Sequence, residues 1–148
     1  MRATLLLAFL GMVLAAGCDG SACEGDCTCS GTDCVCPGSG DCVLDCAGGC
    51  DLQCAGSGDC DFVCGADCVA ACTGSGACVI DVGVGSSVSC SGSGGCDVAC
   101  HGDCAVSCPG SGECVVRCAP GAECVLERCE SPVECADGVV VCNGACPD

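Results

Sequence analysis

The chain has no Trp, no Tyr and no Lys, and its only Phe residues are Phe9 and Phe62. An aromatic core is therefore excluded, and so is sugar recognition by ring stacking. Three arginines face 20 acidic residues in 148, a formal net charge of −17. Nucleic acid and anionic lipid headgroups both demand a basic surface, so neither is an expected partner for the protein surface. His101 is the single histidine, and the frequent serines have no base in register with them. A nucleophile–base pair is not legible, and no catalytic residue is expected.

What the chain has instead is cysteine, 27 residues, and glycine, 25. Burying an aliphatic side chain contributes about 1.5–3 kcal/mol, and few large side chains are present to do so. Cross-links must supply the remainder. Cysteine at this density means disulfides in an oxidising compartment or metal thiolates in a reducing one.

The first residues favour export. Met1-Arg2 is a short positive segment, residues 3–14 are an apolar run too short to span a bilayer, and small residues follow. Leu14-Ala15-Ala16-Gly17-Cys18 resembles the lipobox of bacterial lipoproteins. Ala15 stands where that family usually has a larger aliphatic residue, with Leu14 one place further out. The resemblance covers 18 residues and implies that residues 1–17 are a signal peptide, that Cys18 is acylated, and that the chain is held by lipid on a membrane of the cell envelope. The alternative is an ordinary secretory signal cut after Ala16 or Gly17, releasing a soluble protein. Parity agrees with lipidation, because setting Cys18 aside leaves an even number of cysteines. Loss of Arg2 with the leader would leave Arg117 and Arg128 against all the acids.

An internal repeat organises the rest. Gly-Ser-Gly recurs at Gly38, Gly56, Gly74, Gly92 and Gly110, each 18 residues after the last. Between them cysteines are spaced 4, 4, 4 and then 6, as in Cys42, Cys46, Cys50, Cys54 and Cys60. Midway between paired cysteines stand Leu44, Leu52, Phe62, Ala70, Ile80, Val88, Val98, Val106, Val116 and Leu126, all apolar. Period-2 alternation places both cysteines and the central residue on one face of a strand. Two strands and two glycine-rich turns make one rung, so the expected fold is all-β: a short two-sheet parallel β-solenoid of about five rungs. Stacked disulfide-linked helices are the alternative, against which stand Gly48-Gly49 and Ala119-Pro120-Gly121 at would-be helix interiors. The expected layout is residues 18–37 as lipid anchor and N-terminal cap, 38–130 as five repeats and 131–148 as C-terminal cap. Irregular caps suit open strand edges.

Cysteines four apart on one strand are ~13 Å apart, beyond disulfide reach, so pairing must cross between strands. In the unit at Gly74 the second and third cysteines are lost together, replaced by Val82 and Ser86. Joint loss points to a bonded pair. The expectation is therefore Cys46–Cys50, Cys64–Cys68, Cys100–Cys104 and Cys118–Cys124 across the short turn. First and fourth cysteines are expected to bond within each rung as Cys42–Cys54, Cys60–Cys72, Cys78–Cys90, Cys96–Cys108 and Cys114–Cys129. This leaves Cys23, Cys27, Cys29, Cys34 and Cys36 in one cap and Cys135, Cys142 and Cys146 in the other, an odd number in each.

Asp41, Asp59 and Glu113 precede the first cysteine of their units, and Asp67, Asp103 and Glu123 the third. Asp41, Asp59, Asp67 and Asp103 are the candidate ligands for weak divalent-cation binding. The period is similar to that of the calcium-binding β-roll, but the Gly-Gly-x-Gly-x-Asp pattern of that family is missing. Cys27-Thr28-Cys29 and Cys34-Val35-Cys36 are spacings that suit a metallothionein-like metal store. The chain also resembles the cysteine-rich insect antifreeze solenoids in outline, without their threonine rows. The remaining expectation is a non-catalytic structural or interaction protein of the cell envelope, without cofactor, with a calcium-binding repeat as first alternative and a metal-thiolate protein as second.

Overall fold

The computed structural model describes residues 21–148; the expected signal peptide and Cys18 lie outside the described residues. The chain runs through β1 (Ser21–Gly25), β2 (Thr28–Ser30), β3 (Asp33–Cys36), β4 (Cys42–Gly48), β5 (Asp51–Cys54), β6 (Cys60–Ala66), β7 (Val69–Cys72) and β8 (Cys78–Val82). It continues through β9 (Ser86–Cys90), β10 (Cys96–Cys100), β11 (Cys104–Ser107), β12 (Cys114–Cys118), β13 (Cys124–Glu127), β14 (Pro132–Glu134) and β15 (Val139–Cys142). One turn of 3₁₀-helix, Ala136–Gly138, is the only helical element among the described residues. The chain is an all-β solenoid, and the stacked-helix alternative is set aside.

Successive strands alternate between two sheets. One has the order β1-β4-β6-β8-β10-β12-β15-β14 and the other β13-β11-β9-β7-β5-β3-β2. From β4 to β12 and from β3 to β13 the pairing is parallel, and Cys42 lies beside Cys60, Cys60 beside Cys78, and Cys78 beside Cys96. The 18-residue period is thus one full coil, and each residue stacks on its counterpart. The strands added at the ends run antiparallel: β1 on β4, β2 on β3, β15 on β12 and β14 on β15. A reversed strand ends the coil, because the next residues no longer follow the parallel path.

The core is one layer thick. Leu44, Leu52, Phe62, Ala70, Ile80, Val88, Val98, Val106 and Val116 are each at most 2% exposed. Facing residues are matched in volume: Phe62 shares its rung with Ala70, whereas neighbouring rungs pair Leu44 with Leu52 and Ile80 with Val88. Close packing of a fixed inter-sheet gap requires that compensation. Leu126, at the uncovered end of its sheet, is only half-buried.

The two corners of each rung need glycine for different reasons. At the Gly-Ser-Gly corner a Cβ on Gly74 would lie 1.8 Å from the Gly56 carbonyl oxygen, and one on Gly76 2.0 Å from that of Gly58. These corners stack backbone on backbone, with the intervening Ser57, Ser75 and Ser93 turned to solvent. The short corner instead needs a left-handed residue, supplied by Gly49 (φ 69), Asp67 (φ 58) and Gly85 (φ 78).

Thirteen disulfides close the corners and the caps, and they use all 26 cysteines that follow Cys18. Cys46–Cys50, Cys64–Cys68, Cys100–Cys104 and Cys118–Cys124 cross the short corner as the sequence suggests. Where that bond is missing, Val82 and Ser86 are both buried. The Cys68 N–H donates to Ser86 Oγ at 3.1 Å, and that hydroxyl lies 3.4 Å from the Gly65 carbonyl, so the buried polar group is satisfied.

At the other corner the expected pairing is wrong. Cys42–Cys54, Cys60–Cys72, Cys78–Cys90, Cys96–Cys108 and Cys114–Cys129 are not formed. The bonds are Cys36–Cys42, Cys54–Cys60, Cys72–Cys78, Cys90–Cys96 and Cys108–Cys114, each spanning a Gly-Ser-Gly corner with Cα atoms 6.3–6.6 Å apart. The corner brings the fourth cysteine to the first of the next rung, so the bond follows the chain upward instead of closing the rung on itself. Shifting every pair by one corner leaves Cys42 and Cys129 over, and the caps supply their partners, Cys36 and Cys142. Cys23–Cys27, Cys29–Cys34 and Cys135–Cys146 then complete the caps.

Candidate functional surfaces

The acidic candidates are placed by the solenoid itself. Asp41 Oδ1 accepts the backbone N–H of Asp59 at 3.0 Å, and Asp59 Oδ1 that of Ala77 at 2.8 Å. Asp103 Oδ1 accepts the N–H of Glu123 at 2.8 Å. Each carboxylate ties its rung to the next through an amide that the parallel ladder leaves over. Asp67 is the left-handed residue of its corner, where Asp is tolerated better than most side chains. All four are exposed. Among the described residues no three carboxylates bring oxygens within 4.8 Å of one another; the triads that close all consist of cysteine sulfurs.

Those sulfur triads belong to stacked disulfides. Cys42 Sγ lies 3.8 Å from Cys60 Sγ one rung on, and Cys46 lies within 4.8 Å of both Cys64 and Cys68. A metal store needs thiolates, and the sulfurs of Cys27, Cys29, Cys34 and Cys36 are all held in disulfides. His101 sits exposed in its corner, with Nε2 2.6 Å from an Asp81 carboxylate oxygen. It has the geometry of a surface ion pair.

One surface pattern was not read from the sequence. Outward residues of the first sheet form two columns: Val43, Asp61, Val79, Asp97 and Val115 in one, Asp45, Val63, Asp81, Ala99 and Arg117 in the other. Valine and aspartate alternate along the whole first column and along the second as far as Asp81, and they alternate across the three rungs from Val43 to Asp81. No aspartate therefore stacks on another in these columns, and exposed Val43, Val63 and Val79 never form a continuous apolar stripe. Arg117, one rung beyond Ala99 where the alternation ends, contacts Asp97 diagonally. The signal lay in residues 18 apart, and appears only when the residues on either side of each central apolar residue are read as columns through successive units.

The opposite sheet carries Asp33, Asp51, Val69, Ser87, Ala105 and Val125 in one outward column. The Gly-Ser-Gly corners form an uncharged shallow groove between the sheets, lined among others by Ser39, Ser57, Ser75 and Ser93. The acid-bearing face of the first sheet thus adjoins a neutral corner, and on the second sheet this column is acidic only at Asp33 and Asp51.

The disulfides mark an oxidising, extracellular-type environment. Comparison with protein-family models, curated proteins and solved structures finds no match for this chain.

Proposed function

We propose that the chain is an exported, non-catalytic structural or interaction protein of the cell envelope, held on a membrane by lipid at Cys18. The observation that carries the reading is the closed pairing of the 26 cysteines after Cys18, which leaves that residue to a different chemistry and matches its place in the lipobox-like stretch. A cross-linked prism of stacked rungs is stiff and offers a protease few exposed loops. Its excess of acidic residues discourages self-association.

Membrane fractionation of wild type and Cys18→Ser tests this reading, together with the intact mass of the mature protein. Wild type is expected with membranes, carrying acyl chains on Cys18, and the variant in the soluble fraction. Soluble wild type with no acyl mass overturns the anchor.

A further inference from the structure

Of the disulfides within the repeats, all but one are buried at both cysteines. Cys118–Cys124 is the exception, half-buried at each end. Its corner is lengthened by residues 119–123, with cysteines 6 apart in sequence where the other short corners have 4. It also borders β13, the last strand of its sheet. It is the one bond within the repeats that is exposed to solvent in part at both cysteines.

Directly beneath lies Cys100–Cys104, at 2% and 6% exposure. Cys124 Sγ is within 4.8 Å of both its sulfurs. Parallel pairing sets Cys104 beside Cys124 and Cys100 beside Cys118. In-register neighbours have Cα atoms ~4.8 Å apart, inside the ~4.4–6.8 Å window that a disulfide accepts. By Cα spacing the same four cysteines therefore allow two pairings: two bonds within rungs, or two bonds between rungs.

We propose that Cys118–Cys124 is a thiol–disulfide exchange site that takes a small-molecule or protein thiol and passes the exchange to Cys100–Cys104. The thiolate attacks Cys118 Sγ, forms a mixed disulfide there and releases Cys124 as thiolate. Cys124 attacks Cys104 Sγ and releases Cys100 as thiolate. Cys100 attacks Cys118 Sγ of the mixed disulfide, forms Cys100–Cys118 and returns the original thiolate. Two bonds are replaced by two, nothing is oxidised or reduced overall, and the thiol is a catalyst. The product cross-links the last two rungs through both sheets. Propagation stops there, because Val82 and Ser86 stand where the next rung would offer sulfur.

The test holds one thiol fixed in the chain. In Cys118→Ser the full-length protein carries Cys124 beside Cys100–Cys104 with its own partner removed. After equilibration at mildly alkaline pH the thiol is trapped with N-ethylmaleimide in acidic denaturant and located by peptide sequencing. A shift of label from Cys124 to Cys100 is expected, whereas in the triple variant Cys118→Ser, Cys100→Val, Cys104→Ser the label is expected to stay on Cys124. Label confined to Cys124, or scattered over other cysteines, overturns the proposal. A parallel experiment does not depend on the variant's folding: wild type is incubated with a trace of glutathione and its cross-linked peptides are sequenced. Cys104–Cys124 and Cys100–Cys118 are the expected new linkages, and unchanged pairing overturns the exchange.

Discussion

Val63→Asp tests the alternation of valine and aspartate on the first sheet. Val63 is 45% exposed and lies between Asp45 and Asp81 in one column. The substitution removes little buried surface but stacks three carboxylates. Neighbouring rungs are ~4.8 Å apart, a separation at which two like charges repel by about 1 kcal/mol in water. Two new contacts therefore cost about 2 kcal/mol at low salt. The Debye length falls to ~3 Å at 1 M salt, which removes most of that cost. Lower strand preference of the new side chain adds up to about 1 kcal/mol that salt does not alter, and Val63→Asn isolates it. Guanidinium is itself a salt, so urea unfolding at low and high sodium chloride is the assay. The Asp variant should be less stable than the Asn variant at low salt and close to it at high salt. A deficit indifferent to salt, or equal in the two variants, refutes the electrostatic account.

Three further outcomes follow from the same geometry. Cys46→Val with Cys50→Ser copies the corner of Val82 and Ser86, so it should fold and lose at most about 2 kcal/mol in urea unfolding, whereas Cys46→Val alone should give scrambled disulfides by mass mapping. Gly74→Ala drives a Cβ to 1.8 Å from a carbonyl oxygen and should cost about 3 kcal/mol or more, while Ser75→Ala, one residue on and exposed, should stay within about 0.5 kcal/mol; melting of both decides. Calcium titration at low salt should leave Tm unchanged, since Asp41, Asp59 and Asp103 already hold backbone amides; a saturable rise at micromolar ion would show that the acidic columns bind it.

The fold was legible because its two signals are local. Alternation around Leu44, Phe62 and Ile80 fixes which face is buried, and the spacing of Gly-Ser-Gly fixes the coil. The short-corner disulfides were legible from one natural double substitution, Val82 with Ser86. The long-corner bonds were not, since a pattern of 4, 4, 4 and 6 looks the same whether the fourth cysteine turns back to its own rung or goes on to the next. The deciding signal was the odd cysteine left in each cap, which is what a shift by one corner produces. The antiparallel reversal of β1, β2, β14 and β15 had no such signal, because short strands such as Pro132–Glu134 lack the repeat's phase. The exchange site was hidden for a related reason: it depends on which cysteines lie beside one another in the sheets and which of them solvent reaches.

The central claim is that disulfides lead the coil from each rung to the next. Partial reduction of the native protein at acid pH, with trapping of the released thiols and sequencing of the fragments, reads this directly. The account predicts Cys54 paired with Cys60, Cys72 with Cys78 and Cys90 with Cys96; recovery of Cys42–Cys54 or Cys60–Cys72 would contradict it.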